Sequence, residues 1–243
     1  DPLFGIDRDA ASALRRSLDI EGGAKIDIHY GLNIKYAALR DPIQRRAFIA
    51  GLADTPFSSL WPRVSGFGAD ASAMRIRRYI AAMLDFTRLE RPIVADGVGG
   101  LAALAIAAFG AAGGICHGVA EKERFDASNW AKPPKAGGGG REKRVLIAPI
   151  DRLLSIKQVE ALIAVPGARR MLSCHDRDCC PHGLEDMLKD PKAHYLHQRM
   201  RQISELGRVP DIRRARHFLD HELAPTERSA RNIAKLNVGD DAL

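Results

Sequence analysis

Three of the four cysteines fall within seven positions, in the run Cys174-His-Asp-Arg-Asp-Cys179-Cys180-Pro-His182. Thiolates bind zinc tightly, and a tetrahedral site gathers four nitrogen or sulfur ligands around a tight loop, often with a histidine from further along the chain. Six of the eight histidines lie beyond Cys174, and the candidates for the fourth ligand are His194, His197, His217 and His221. His194 and His197 are three apart and His217 and His221 four apart, so each pair shares one face of a helix. Adjacent cysteines rarely bridge each other, and a chain of 243 residues needs no disulfide staples. The cluster reads as a structural zinc centre without an open coordination position; the competing reading is a set of structural or solvated side chains.

A second set of candidates depends on the elements that would position them. Short β-rich runs are expected at Lys25–Gly31, Arg63–Phe67, Pro92–Asp96, Gly114–Val119 and Arg144–Ala148, with helices at Ile43–Leu52, Ala71–Phe86 and Leu101–Phe109 between them. Strand, crossover helix, strand is the pattern of a parallel sheet. The segments Pro92–Gly100 and Gly110–Gly118 resemble the last two βα units of a TIM barrel, where glycine-rich turns let backbone N–H groups approach a phosphate. Gly97, Gly99 and Gly100 are the expected phosphate-binding positions; a plain turn in a doubly wound sheet is the alternative. Because barrel sites gather at the C-terminal ends of strands, Asp96, Cys116 and His117 are the catalytic candidates. A carboxylate such as Asp96 can attack a sugar carbon or take a proton, whereas a turn or helix-capping role is its simpler reading. Cys116 and His117 have competing roles as core side chains. Asp27 and His29 join the set because Lys25, Asp27 and His29 alternate onto one face of the expected strand.

Charge and composition narrow the classes. The formal net charge is +7, with 46% hydrophobic and 28% charged residues, an ordinary globular balance that favours an anionic partner. No apolar run reaches the roughly 18–20 residues needed to span a bilayer. No basic-then-apolar leader with a cleavage site is seen and Asp1 is not a start methionine, so the expectation is a cytoplasmic chain with its beginning removed. Lys132–Gly140 reads as a flexible connector. Helices are expected beyond it at Ile156–Ile163, Lys192–Leu206, Asp211–Leu223 and Thr226–Leu236, giving an α/β portion over 1–150 and a helical, Cys/His-rich portion over 151–243. Between positions 165 and 216 there are 11 bases against seven acids. Arginine suits bidentate phosphate contacts, which nominates Arg177, Arg199, Arg201, Arg213 and Arg214 for nucleic-acid binding, with a solvated helical face as the alternative.

Taken together, the cysteine cluster, the helix Ala193-His-Tyr-Leu-His-Gln-Arg199 and the turn Gly97-Val-Gly99 resemble the tRNA-guanine transglycosylase superfamily, including its DNA-modifying paralogues, over roughly Pro92 to Leu223. The resemblance implies a TIM-barrel-like fold, partial in this chain, with a C-terminal helical subdomain holding structural zinc. It implies Cys174, Cys179, Cys180 and His217 as the metal ligands. It further implies exchange of a guanine or 7-deazaguanine base in tRNA or DNA through a covalent sugar–aspartate intermediate, in a homo-oligomer or larger assembly. The sequence departs from the family in two places. Its cluster is C-x4-C-C instead of C-x-C-x-x-C, and Ile115-Cys116-His117 occupies the region of the family's aspartate nucleophile. A catalytically inactive relative that binds nucleic acid or serves an assembly is the alternative, and a small-molecule phosphate enzyme is a third class.

Overall fold

In the computed structural model of the chain, the described residues are 2–119, 123–132 and 143–236. The expected connector lies almost wholly outside them. The chain divides into two compact units, Asp1–His117 with Arg124–Lys132, and Gly118–Glu123 with Pro133–Leu243.

The first unit opens with helix α1 (Pro2–Ile20), which sequence periodicity did not single out. It packs Phe4 edge-on against Phe48, with ring centroids 5.1 Å apart. The following turn is tied down by Arg15, whose guanidinium donates to the carbonyls of Gly23 and Ile26 at 2.8 and 2.9 Å. That turn occupies the start of the expected first strand, so β1 runs over His29–Lys35, not Lys25–Gly31, and Asp27 lies outside it. Helices α2 (Tyr36–Arg40) and α3 (Pro42–Ala53) lead to β2 (Ser59–Ser65). Pro42 suits the first helical position, and Asp41 caps α3 by accepting from the amides of Ile43 and Gln44 at 2.8 and 3.3 Å. A short β3 (Phe67–Gly68), helix α4 (Ala73–Phe86), β4 (Val94–Asp96), helix α5 (Gly100–Ala108) and β5 (Gly114–Cys116) follow. Strand β6 (Arg124–Phe125) pairs antiparallel with β3.

Strands β1, β2, β4 and β5 form one parallel sheet in that spatial order, each next to its predecessor in the main sheet. The winding therefore never reverses, unlike that of a doubly wound sheet. Tyr30, Leu32 and Ile34 alternate into the core with Leu60 and Val64, while His29, Gly31, Asn33 and Lys35 are exposed. The core is completed by Tyr79, Ile80, Met83 and Phe86 of α4 and by α5, which is apolar on almost every side and almost entirely buried. This core helix is the longest apolar stretch; among the described residues no helix is long and apolar enough to cross a membrane. Among the described residues the main sheet has four strands and does not close into a barrel, so the fold is mixed α/β with an open parallel sheet.

The first strands of the second unit form an antiparallel hairpin, β7 (Arg144–Ile147) and β8 (Arg152–Ser155). A boundary at 150 would cut this hairpin, yet both strands belong to the second unit. Ser155 and Gln158 form a reciprocal capping box that starts α6 (Ile156–Ile163). Next come α7 (Ala168–Leu172), α8 (Leu184–Lys189) and α9 (Pro191–Arg208). One continuous helix then runs through α10 (Asp211–His217), a π-helical stretch over Phe218–Leu223 and α11 (Ala224–Ala234). Pro225 lacks the N–H that an α-helix would bond to the carbonyl four residues back, and the wider π turn lets the helix pass it without the expected break. Val145, Ile147, Val159, Leu162, Leu172 and Met187 build a core that also takes in Cys174 and Cys180.

Candidate functional site

The cysteine loop is shaped by Asp176. Its carboxylate accepts from the amides of Asp178 and Cys179 at 3.1 and 3.2 Å, and its carbonyl accepts from the amide of Cys180 at 2.8 Å. This turn places two successive cysteines on the same side as Cys174. The fourth group is His194 on α9, whose Nδ1 lies 3.3 Å from the sulfurs of both Cys179 and Cys180, themselves 3.6 Å apart. All four ligand atoms lie within 4.8 Å of one another and could hold a metal ion. For tetrahedral zinc, standard bond lengths put sulfurs about 3.8 Å apart and nitrogen about 3.6 Å from sulfur, so the groups are already close to the spacing zinc requires.

The imidazole of His194 is also correctly oriented for a metal. Its Nε2 stands 2.9 Å from the carbonyl of Leu146 on β7, which only a protonated Nε2 can exploit, so Nδ1 presents its lone pair to the sulfurs. Burial holds the His194 pKa below the usual histidine value, only partly countered by that carbonyl. Gln198 donates to the Cys174 sulfur at 3.5 Å and to Asp176 at 3.3 Å. Burial and the neighbouring sulfurs push the thiols of Cys174 and Cys180 up; a divalent ion among them would reverse that balance by favouring thiolates.

His217 is not part of this group. It stands on α10, its ring against His221, and lines a groove whose other wall includes the cysteine loop. Among the four distal candidates, His194 takes the place because it lies in the first turn of α9, where its ring reaches both the Leu146 carbonyl of β7 and the cysteine sulfurs. His197, one turn on, instead bonds Asp176 at 3.2 Å.

The catalytic candidates of the first unit are partly brought together. The register places Arg63, Asp96 and Cys116 side by side across β2, β4 and β5, with Asn33 of β1 beside Arg63. Arg63 holds the Asp96 carboxylate through Nε at 2.7 Å and through Nη2, and its guanidinium lies over the Phe125 ring, 5.3 Å from the centroid. Burial and the charge of Asp96 push the Cys116 thiol up, which keeps it a proton donor and a poor nucleophile. His117 follows directly and is half-buried. Arg63 was missed by sequence reasoning, which took it only as the first residue of a strand; an arginine between inward-facing apolar neighbours was the available signal. His29 is corrected in position: as the first residue of β1 it lies at the opposite end of the sheet, hydrogen-bonded to Ser59 at 2.7 Å.

The glycine turn serves packing. Gly97 has φ +75°, its amide donates to the Cys116 carbonyl at 2.8 Å, and a Cβ there would lie 2.8 Å from Cβ of Phe125. Gly99 and Gly100 are buried. The amide of Gly97 is thus already engaged, and this turn is closed over by protein.

The arginines divide sharply. Arg199 is buried, its side chain 6% exposed between the carboxylates of Glu123 and Asp151, so it belongs to the core of the second unit and not to a nucleic-acid surface. Arg201 reaches Gln198, Glu205 and Asp176, and Arg214 pairs with Asp211 at 2.8 Å. Arg177 and Arg213 are exposed, with no ion pair among the described residues. Much of the basic run is therefore internally neutralised.

A groove of about 1210 Å³ opens in the second unit, lined by residues that include Cys174, Asp176, Arg201, His217, His221 and Glu222. Burial raises the Glu222 pKa, partly opposed by the Gln202 amide, which donates to it at 3.1 Å. A carboxyl raised on folding contributes stability that is full below its unfolded value and is lost as pH rises through the folded value. Glu222→Gln is therefore expected to flatten the pH dependence of unfolding and to be more stable than the parent at pH 7, read from urea midpoints at pH 4 and 7.

Against models of known protein families, curated proteins and solved structures, the chain gives no match.

Proposed function

We propose that the chain is a transglycosylase-type enzyme that exchanges a guanine or 7-deazaguanine base in tRNA or DNA, with zinc as the structural ion at Cys174, Cys179, Cys180 and His194. The observation that supports it is Asp96: a carboxylate at the carboxyl end of a parallel strand, oriented by Arg63 and flanked by the Cys116 thiol. Sites of βα architectures gather at that end. Strands wound in sequential order, with an exposed face on β1, suit part of a (β/α) barrel. Four free cysteines suit a reducing cytoplasm.

In this reading a carboxylate oxygen of Asp96 attacks the sugar C1′, and the bond to the departing base breaks with its electron pair leaving on the base nitrogen, which takes up a proton. The incoming base loses a proton from its attacking nitrogen and displaces the carboxylate, restoring Asp96. Reaching C1′ requires the nucleotide to be drawn out of its stack. Arg63 fixes the attacking group and stabilises it as the leaving carboxylate in the second step. Asp96→Asn preserves shape and is expected to reduce incorporation of labelled guanine into tRNA or DNA by about 10³-fold or more; full retention of exchange would remove the assignment.

A second reading, a relative without turnover that binds nucleic acid or serves an assembly, is favoured by the firm hold of Arg63 on Asp96. Salt-sensitive binding of tRNA or duplex DNA with no exchange of labelled base, in the parent chain, would select it.

A further inference from the structure

Two histidines of the groove stand against each other. His217 closes α10 and His221 lies within the π turn; their ring centroids are 4.5 Å apart and their planes differ by 31°. Both line the groove, His221 being exposed and His217 half-buried. Among the described residues neither ring has a hydrogen-bond or ion-pair partner, whereas His182 and His197 each face an aspartate. Each imidazole thus keeps a nitrogen lone pair that no protein donor occupies. A π turn inside a helix is itself a feature that concentrates at functional sites.

We infer that His217 and His221 form a second metal site, a two-imidazole chelate for a divalent late transition ion of the zinc, nickel or copper class. Imidazole nitrogen is a preferred ligand for these ions. Two nitrogens bound to one zinc lie about 3.4 Å apart, and the His217 and His221 rings, four residues apart on one helical stretch, stand with centroids 4.5 Å apart. With two protein ligands, the remaining coordination positions face the groove, so this ion is open to water or a small ligand, unlike one enclosed by the cysteines. The site is independent of the base-exchange reading.

Zinc titration of the full, folded chain by calorimetry, with total bound zinc counted by elemental analysis, tests it, with circular dichroism as the folding control. Two equivalents are expected, the tighter at the cysteines. His217→Ala combined with His221→Ala, both at groove-lining positions, should weaken the second at least tenfold and leave the first unchanged. Nitrogen NMR shifts of His217 and His221 should move only with the second equivalent. Two equivalents of unchanged affinity in the double variant, or uptake of a single equivalent that the double variant retains, would overturn the inference. A single equivalent abolished by the double variant would instead refute the cysteine centre and uphold this site.

Discussion

Cys180→Ser is expected to strip the metal from the chain and to unfold much of its second unit. Cys180 contributes one of four donors and is also a core residue, 3% exposed, beside Leu184 and Met187. Structural zinc in small domains contributes on the order of 10–16 kcal/mol of binding free energy at neutral pH, which exceeds the roughly 5–15 kcal/mol that holds a whole domain folded. Loss of one ligand therefore removes more than conservative packing can restore. Metal analysis should show zinc falling from stoichiometric to trace, and circular dichroism should show loss of helix from α6 to α11. Trp61 and Trp130 both belong to the first unit, so tryptophan fluorescence is the internal control. A chelator applied to the parent should reproduce the same signature. A fully folded, metal-free parent chain would end the zinc assignment.

Arg199→Met is expected to destabilise the second unit by about 3–5 kcal/mol, the usual cost of removing one partner from a buried ion pair. The guanidinium is enclosed by Glu123 and Asp151, 5% and 4% exposed, and its Nη2 bonds Glu123 at 2.9 Å. Tyr195 donates to Glu123 at 2.7 Å and Gln202 accepts from Arg199 at 2.9 Å. Without the cation two carboxylates remain in a space that water does not reach, and each must be neutralised or exposed. Lysine does not rescue, because one ammonium cannot reproduce the guanidinium's planar fork towards both acids. Combining Arg199→Met with Glu123→Gln should recover part of the loss. The measurement is the shift in urea midpoint followed by circular dichroism; an unchanged midpoint would mean that the network adds nothing to stability. Because Arg199 is enclosed, these variants test folding, whereas Arg177 and Arg213 are the exposed positions at which nucleic-acid affinity can be tested without disturbing the core.

These two cases also mark how far local patterning reaches. The cysteine triad was legible because its three members lie within seven positions, where a single turn decides their geometry. The parallel βα order of the first unit was legible from apolar runs separated by helix-length segments, although β1 lies four residues later than expected because the Arg15-bound turn occupies its start. Arg199 was misplaced for a different reason: its partners Glu123 and Asp151 are 76 and 48 residues away, and a charge on a helix looks solvated until its distant neighbours are known. His217 was preferred through resemblance, but the first turn of α9 supplied His194 from within the same short segment.

The amino-acid sequence by itself determined the types of chemistry present: a cysteine cluster able to hold a metal, a carboxylate at the end of a strand, glycines in its turn and an apolar helix beside it. Spacing within one turn, strand or helix is set by fixed backbone periods, so these features follow from nearest neighbours alone. Tertiary structure decided which histidine joins the sulfurs, that Arg63 and Cys116 flank Asp96, that the Gly97 amide is consumed by the Cys116 carbonyl, and that Arg199 is enclosed. Each of these joins different elements across strand register or helix packing, and such contacts arise only when the whole apolar core settles, a condition no local segment contains.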